Sequence, residues 1–326
     1  MKKLSVLIIA VLAITVIAAA AFAADDVKQI GIIQLVEHPA LDAAEKGFVD
    51  GLAAEGFTDG KNIKIDLQNA QGDQANLETI SDRFVKNNVA LVLAIATPAA
   101  QAIAAKTTTI PILVTAVTDP ADARLVESNE KPNTNVSGTT DMQPIQKQLD
   151  LLMQLFPDTK TIGIVYNSSE ANSELQVKLF KKAAEAENLK IETGTVTSVN
   201  DIDQVMSSLI DKVDVIYTPT DNTIASAMPN VVKVAEAAKK PIIGAEPGEV
   251  ENGALATAGI NYYNLGVQTG HMAAKILRGE AEPKDMPIES LDKVDIVLNQ
   301  TTADAIGFTF PKDLLDSAAT VYPTAK

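Results

Sequence analysis

The chain states one strand-and-helix unit twice. Ile30-Gly31-Ile32-Ile33 opens a 28-residue stretch ending at Phe57, and Ile162-Gly163-Ile164-Val165 opens one of equal length ending at Leu189. Each reads as a short buried strand, a polar loop and an amphipathic helix, with Phe48 and Phe180 at matching places. Second strands follow at Asn62 to Leu67 and Lys190 to Thr195. Val89-Ala90-Leu91-Val92-Leu93 then corresponds to Val213-Asp214-Val215-Ile216-Tyr217, and Ile110-Pro111-Ile112-Leu113-Val114 to Lys240-Pro241-Ile242-Ile243-Gly244. Strands alternating with helices of this length require parallel sheets covered by helices on both faces. Two such runs, offset by about 130 residues, predict an α/β fold of two Rossmann-like lobes hinged around a central cleft.

The boundaries follow from the punctuation. Gln143-Pro144 precedes a helix predicted over Ile145 to Leu155, so the chain is expected to pass between lobes near Thr139 to Pro144, and again after Gly259 and before Val294. Asn264 to Gly279 reads as a helix stopped by Gly279, and Val294 to Leu298 as a late strand. The expected division is 24–142 plus about 262–290 for lobe 1, and 143–261 plus about 291–326 for lobe 2.

Residues 1–23 read as an export signal. Met1-Lys2-Lys3 supplies the positive start, Leu4 to Ala21 the apolar run, and Ala21-Phe22-Ala23 the small-x-small cleavage pattern. The chain has no cysteine, so it lacks the acceptor for a lipid anchor, along with disulfides and thiolate ligands. A cleaved, periplasmic, monomeric protein is expected. Loss of the signal removes two lysines and no acids, taking the formal net charge from −15 to −17. Nucleic acid is thereby excluded as a partner, since phosphate binding needs clustered Lys and Arg.

Ligands of open α/β sheets lie beyond the carboxyl ends of the strands. The loops there supply Glu37, His38 and Leu41 after the first strand and Thr97 after the third. Thr118 and Asp119 follow the fourth. The second half contributes Asn167, Ser168, Ser169, Glu170, Asn172 and Ser173, then Asp221 and Asn222, then Glu246. A zwitterionic amino acid needs carboxylates or carbonyls for its ammonium and N–H or hydroxyl donors for its carboxylate. Asp221, Glu246 and Glu170 are the candidate acceptors; Thr97, Ser168, Ser169 and Asn172 are candidate donors. Against this, Ser, Thr, Asn and Asp before helices commonly serve as N-caps, Asp119-Pro120 has the form of a turn, and Glu37 has the form of a solvated side chain.

No nucleophile elbow, phosphate loop or dinucleotide fingerprint occurs, and no metal or cofactor is called for. Only two histidines are present, and His271 falls on a predicted helix. The alternatives are a glycosidase-like hydrolase using paired carboxylates, and a two-lobed sensor domain, which would need a DNA-binding helix pair where the signal stands.

At these loops the sequence resembles the TrpX-like substrate-binding proteins of ABC transporters. The resemblance lies in Val36-Glu37-His38-Pro39-Ala40-Leu41-Asp42, Thr97-Pro98-Ala99-Ala100, Ala116-Val117-Thr118-Asp119-Pro120, Ser137-Gly138-Thr139-Thr140-Asp141, Tyr166 to Ser173 and Thr220-Asp221-Asn222-Thr223. It implies a type 1 periplasmic binding protein fold, a permease and an ATPase as partners, no catalysis, and an aromatic amino acid as the first ligand to test. The chain has no tryptophan to stack on such a ligand; Phe48, Tyr166, Tyr217, Tyr262 and Tyr263 are the aromatic candidates.

Overall fold

The computed structural model describes residues 27–323. The predicted export signal at 1–23 lies outside the described residues.

Strands β1 (Lys28–Gln34), β2 (Ile63–Asn69), β3 (Leu91–Ile95), β4 (Ile112–Val117) and β5 (Val136–Thr140) form an all-parallel sheet in the order β2-β1-β3-β4-β5. Its helices from the same run are α1 (Pro39–Ala54), α2 (Gln74–Lys86) and α3 (Thr97–Ala104). The chain then crosses to α4 (Ile145–Leu155) and a second sheet of seven strands. These are β6 (Thr161–Asn167), β7 (Lys190–Val196), β8 (Val215–Thr218), β9 (Ile242–Gly244), β10 (Ala256–Gly259), β11 (Asp295–Asn299) and β12 (Thr320–Tyr322), ordered β12-β11-β10-β9-β8-β6-β7. Helices α5 (Ala171–Ala186), α6 (Ile202–Leu209), α7 (Asn222–Ser226), α8 (Met228–Ala237) and α9 (Pro247–Glu251) alternate with them. Helix α10 (Tyr262–Leu277) follows β10, and α11 (Gln300–Ile306) and α12 (Lys312–Ser317) complete the chain.

The sheets reproduce the duplicated pattern, with two departures. Strand β10 pairs with β11 antiparallel, because β11 is made by chain returning from the first lobe rather than by a crossover helix. Strand β5 was not visible in the sequence, since Val136-Ser137-Gly138-Thr139-Thr140 carries hydroxyls where a buried strand carries aliphatics. The hydroxyls are buried and paired: Ser137 Oγ donates to Met286 O (2.8 Å), and Thr139 Oγ1 pairs with Thr115 Oγ1 (3.2 Å) and Thr269 Oγ1 (2.9 Å). Gly138, at φ +136°, has no room for a Cβ against the Val114 backbone.

Each sheet has its own core. The first gathers Ile30, Ile32, Phe48, Phe84, Leu93 and Val114, and it also takes Ile260, Leu265, Met272 and Leu277, which arrive from the second sheet. The second lobe packs Leu152, Ile164, Phe180, Tyr217 and Leu298 on one face of its sheet and Val165, Met206, Ile216 and Val231 on the other. Phe180 stacks on Tyr217 at 3.8 Å, and the Tyr217 hydroxyl donates to Gln148 Oε1 (2.7 Å). No helix among the described residues is long and apolar enough to cross a membrane.

Helix α10 is fixed to the first lobe by glycine. Gly47 and Gly51 on α1 face α10, and Gly266 and Gly270 on α10 face α1. A Cβ at Gly51 would stand 2.5 Å from Val267 O, and one at Gly270 would stand 2.6 Å from Phe48 O. At Gly47 it would overlap the Tyr263 carbonyl, and at Gly266 the Ala44 carbonyl. Side chains at these four positions would hold the helices apart, so the spacing Gly-x-x-x-Gly on both partners sets the depth of their contact. Tyr263 Oη to Asp50 Oδ2 (2.9 Å) and His271 Nδ1 to Glu55 Oε1 (2.9 Å) flank the seam.

Gly47→Ala and Gly266→Ala are therefore each expected to destabilise the fold by about 1–3 kcal/mol through overpacking. A urea midpoint unchanged in both variants would contradict the interlock.

Candidate functional site

The carboxyl ends of both sheets face one narrow gap, with a cavity volume of about 10 Å³. That is far below the roughly 300–1,000 Å³ of ligand pockets, so the facing side chains close on one another and a bound molecule would have to part them. Lobe 1 contributes His38 and Leu41 from the start of α1, Ala116 and Thr118 from the end of β4, Asp141 after β5 and Tyr262 at the start of α10. Lobe 2 contributes Asn172 at the start of α5, Thr220, Asp221, Asn222 and Ala225 around the start of α7, and Glu246 before α9. Every one of these segments follows a strand or opens a helix. A second cavity beside it, lined from both lobes by Leu35, Gln71, Pro98, Asn167, Ser169 and Asn222, is larger, at about 390 Å³.

The lobes touch across the gap. His38 Nε2 lies 3.4 Å from Asn222 Oδ1. Gly248 of α9 packs on the first turn of α1, where an added Cβ would come within 3.0 Å of Pro39 Cβ and 3.1 Å of Ala40 N. Ala96 and Ala116, at the ends of β3 and β4, hold positive φ of 82° and 54°, local strain of the kind concentrated at functional edges.

The electrostatics are one-sided: no lysine or arginine lines the gap. Burial pushes the Asp141 carboxyl up to about 6, against the hydrogen bond that Tyr262 Oη donates to Oδ2 (2.6 Å). Burial likewise raises Glu246 to about 7, opposed by the Gly248 N–H donated to Oε2 (2.6 Å) and assisted by the charge of Asp141. Asp221 rises to about 7 through burial and the charge of Glu170, opposed by N–H bonds from Ile224 (2.8 Å) and Asn167 (2.6 Å). Burial draws the His38 imidazole down to about 4. Buried polar atoms left without a partner include His38 Nδ1, Thr118 Oγ1, Asp141 Oδ1, Asn172 Oδ1 and Glu246 Oε1, all on residues lining this gap.

Of the residues expected from sequence, His38, Leu41, Thr118, Asn172, Asp221, Asn222 and Glu246 come together here. Thr97, 2% exposed at the start of α3, is buried with Oγ1 unpaired, but it does not line the gap. Four residues stand apart. Glu37 is exposed, as its loop turns outward before α1. Asp119 is a turn residue: its Oδ1 accepts from Ala121 N (3.0 Å), Asp122 N (3.2 Å) and Asn129 Nδ2 (2.9 Å). Ser168 and Ser169 are exposed, and Ser169 reaches only the neighbouring cavity.

Glu170, Asn167 and Ser173 form a scaffold behind the wall. Glu170 Oε1 accepts from Thr223 N (3.0 Å) and Thr223 Oγ1 (2.9 Å), and Oε2 from Asn222 N (3.1 Å), Asn222 Nδ2 (2.5 Å) and Asn172 Nδ2 (3.1 Å). Asn167 Nδ2 donates to Thr223 Oγ1 (2.9 Å), and Ser173 Oγ to Thr220 O (3.4 Å). Both oxygens of Asp221 are likewise occupied by N–H donors. The acceptors expected of Glu170 and Asp221 are thus spent on the loop, while Glu246 and Asp141 keep an oxygen unpaired.

Sequence reasoning held Asp141, Ala116 and Thr220 only within the segments that carry the family resemblance, without giving them a role, and it missed Ala225 and Tyr262 as a polar contact. Asp141 was hidden because β5 was hidden; once that strand is placed, Asp141 occupies the same post-strand position as Thr118.

The family model for ABC transporter substrate binding proteins matches residues 29–322. A tyrosine-binding protein of Clostridioides difficile (strain R20291) is 47% identical over 279 residues, covering 86% of this chain and 81% of that protein. The crystal structure of an ABC domain in complex with L-Trp from Streptococcus pneumonia is 43% identical, with a TM-score of 0.87 over 91% of this chain and all of that one. The ligand-free, open structure of a substrate binding protein with adhesive properties from Clostridium difficile is 49% identical, yet its TM-score is 0.70 over 90% of this chain and 99% of that one.

Glu170→Ala would strand at least four buried or half-buried donors, so a loss of about 3 kcal/mol or more in unfolding free energy is expected, against a change within about 0.5 kcal/mol for exposed Glu37→Ala. Equal denaturant midpoints for the two variants would contradict the scaffold assignment.

Proposed function

This chain belongs to the ABC transporter substrate-binding protein family, and from that premise we propose that it captures an aromatic amino acid between its lobes and presents the closed complex to a permease and its ATPase. The observation that carries the ligand class is the pair of buried, unpaired carboxyl oxygens, Asp141 Oδ1 and Glu246 Oε1, one from each lobe, in a gap that no lysine or arginine of the described residues lines. An α-ammonium meets both, and burial of either charge alone would be costly. Thr118 offers a hydroxyl donor to the carboxylate, and Leu41, Ala116, Ala225 and the Tyr262 ring give the apolar wall for an aromatic group. The tyrosine-binding and L-Trp-bound relatives support the aromatic class.

Closure is supported by the two structural comparisons. The relative of higher identity but open form superposes less well than the L-Trp complex, as expected if the lobes here are in the closed arrangement. Ligand contacts completed only across the gap would favour this state. The moving bodies would be 24–142 with about 262–290, and 143–261 with about 291–326. We read Asp141 and Glu246 as counter-charges rather than an acid and a base, and the working protein as an exported monomer cleaved near Ala24.

Isothermal titration calorimetry with aromatic amino acids is expected to show saturable binding, weakened by about 2 kcal/mol or more in Asp141→Asn and in Glu246→Gln. No heat at millimolar ligand would remove the reading. A second outcome follows from proton linkage. Between about pH 4 and 7 the folded, free protein keeps protons on Asp141, Asp221 and Glu246 that the unfolded chain, with carboxyls near 3.8 and 4.5, has already released. Stability of the free protein should therefore rise as pH falls from 7 to 5, three carboxyls outweighing His38, whose shift from 6.5 to about 4 acts in the opposite direction. An ammonium favours the ionised carboxyls, so affinity should fall over the same interval, with protons released on binding. Calorimetry in buffers of different ionisation enthalpy reads that release; its absence at pH 6.5 would contradict the pairing.

A further inference from the structure

The polar network joining the lobes fixes which atoms of the gap can donate. Asn222 Nδ2 donates to Glu170 Oε2 (2.5 Å), so the Asn222 amide cannot turn over, and its Oδ1 is the atom presented to His38 Nε2 at 3.4 Å. His38 Nε2 must then carry the proton. A buried imidazole drawn down to about 4 is neutral at physiological pH, so Nδ1 is left as a bare acceptor, unpaired and on a side chain 7% exposed. Asn172 is locked in the same way: Nδ2 donates to Glu170 Oε2 (3.1 Å) and to Thr220 O (2.9 Å), which turns Oδ1 away as an unpaired acceptor on a residue 5% exposed.

Four unpaired acceptors therefore line the gap: His38 Nδ1, Asn172 Oδ1, Asp141 Oδ1 and Glu246 Oε1. An α-ammonium held between the two carboxylates, with the Thr118 hydroxyl beside Asp141, leaves the neutral acceptors His38 Nδ1 and Asn172 Oδ1 for a donor elsewhere on the ligand. An amino acid whose side chain is purely hydrocarbon offers none. We propose that the site selects ligands whose side chain bears an O–H or N–H donor, taken by the locked acceptors His38 Nδ1 and Asn172 Oδ1, so that tyrosine and tryptophan are admitted and phenylalanine is rejected. Glu170 is the positioning residue of this selection, since its Oε2 accepts from both amides and holds them in register without lining the gap. The inference rests on the aromatic amino acid reading above and adds to it a discrimination within that class.

Titration calorimetry of the mature protein with L-tyrosine, L-tryptophan, L-phenylalanine and O-methyl-L-tyrosine tests it. Phenylalanine, which fits wherever tyrosine does, and O-methyl-tyrosine, which keeps the oxygen but not the proton, are both expected to bind about 10- to 100-fold more weakly than tyrosine. In Asn172→Leu, with folding checked by thermal melting, the tyrosine-to-phenylalanine ratio should fall to within about threefold. A general structural defect would weaken both ligands alike and leave the ratio standing. Nitrogen-15 chemical shifts of the wild-type imidazoles, with His38 distinguished by His271→Asn, should report the Nε2–H tautomer. Phenylalanine bound as tightly as tyrosine, or His38 found as the Nδ1–H tautomer, would overturn the donor requirement and leave the aromatic reading intact. Failure of all four ligands to bind would overturn both.

Discussion

The seam between α1 and α10 is the constraint on which the rest of the molecule depends. Two Gly-x-x-x-Gly spacings bring the helix backbones to a separation that no side chain would permit. The helices run parallel, with Gly47 beside Tyr263 and Gly51 beside Val267, so both N-termini emerge at the same end. That end carries His38 and Leu41 before and within the first turn of α1, and Tyr262 at the first position of α10. Backbone-to-backbone packing is poorly compressible, and it transmits the position of one helix to the other without the slack of a long side chain. The seam also decides the topology. Segment 262–277 arrives from the second sheet, and its docking on α1 obliges the chain to come across and then return to build β11.

The gap itself departs from ordinary core chemistry. A well-packed interior pairs its polar groups, and the second lobe does so behind the wall, where Gln148 bonds Tyr217 and the carbonyls of Ala245 and Ala258 and Glu170 gathers five bonds. On the wall itself Asp141, Glu246, Asn172 and His38 are buried and incompletely paired, and three carboxyls titrate well above their ordinary range. Such groups cost stability unless something completes them, and their convergence is what the proposed ligand would complete. Glu249, directly behind, is raised by its burial and by Glu246, which extends the same tension one layer inward.

The two-lobed architecture was legible because strand and helix periodicities repeat along the chain with the same spacing, and a repeat survives local errors in any one element. The post-strand loops were legible for the same reason, which placed His38, Thr118, Asn172, Asp221 and Glu246 on the facing edges before any coordinates. What could not be read was the direction in which each carboxylate is spent. Asp221 and Glu170 have the composition of ligand acceptors and the geometry of loop braces, a difference carried by N–H groups of Asn167, Asn222, Thr223 and Ile224 that sequence leaves unoriented. Asp141 was missed for a converse reason, since a strand of Ser, Gly and Thr lacks the apolar signal, and its partners Met286, Thr115 and Thr269 lie elsewhere in the chain.

Three peptide segments join the lobes: residues 141–144, 260–261 and 292–294. They are also tied to one another. Tyr262 Oη reaches Asp141 and accepts from Gln143 Nε2 (3.2 Å), while Thr140 N and Glu289 N exchange bonds with Glu289 O and Gly138 O, both at 2.9 Å. A single connector would let one half swivel on the other. Three, cross-laced near their roots, would resist torsion and leave flexion about one axis as the soft coordinate. On the proposed reading, solute contacts made anywhere on the inner faces would be converted into the same swing, so that the outward shape would report occupancy rather than the identity of what is held.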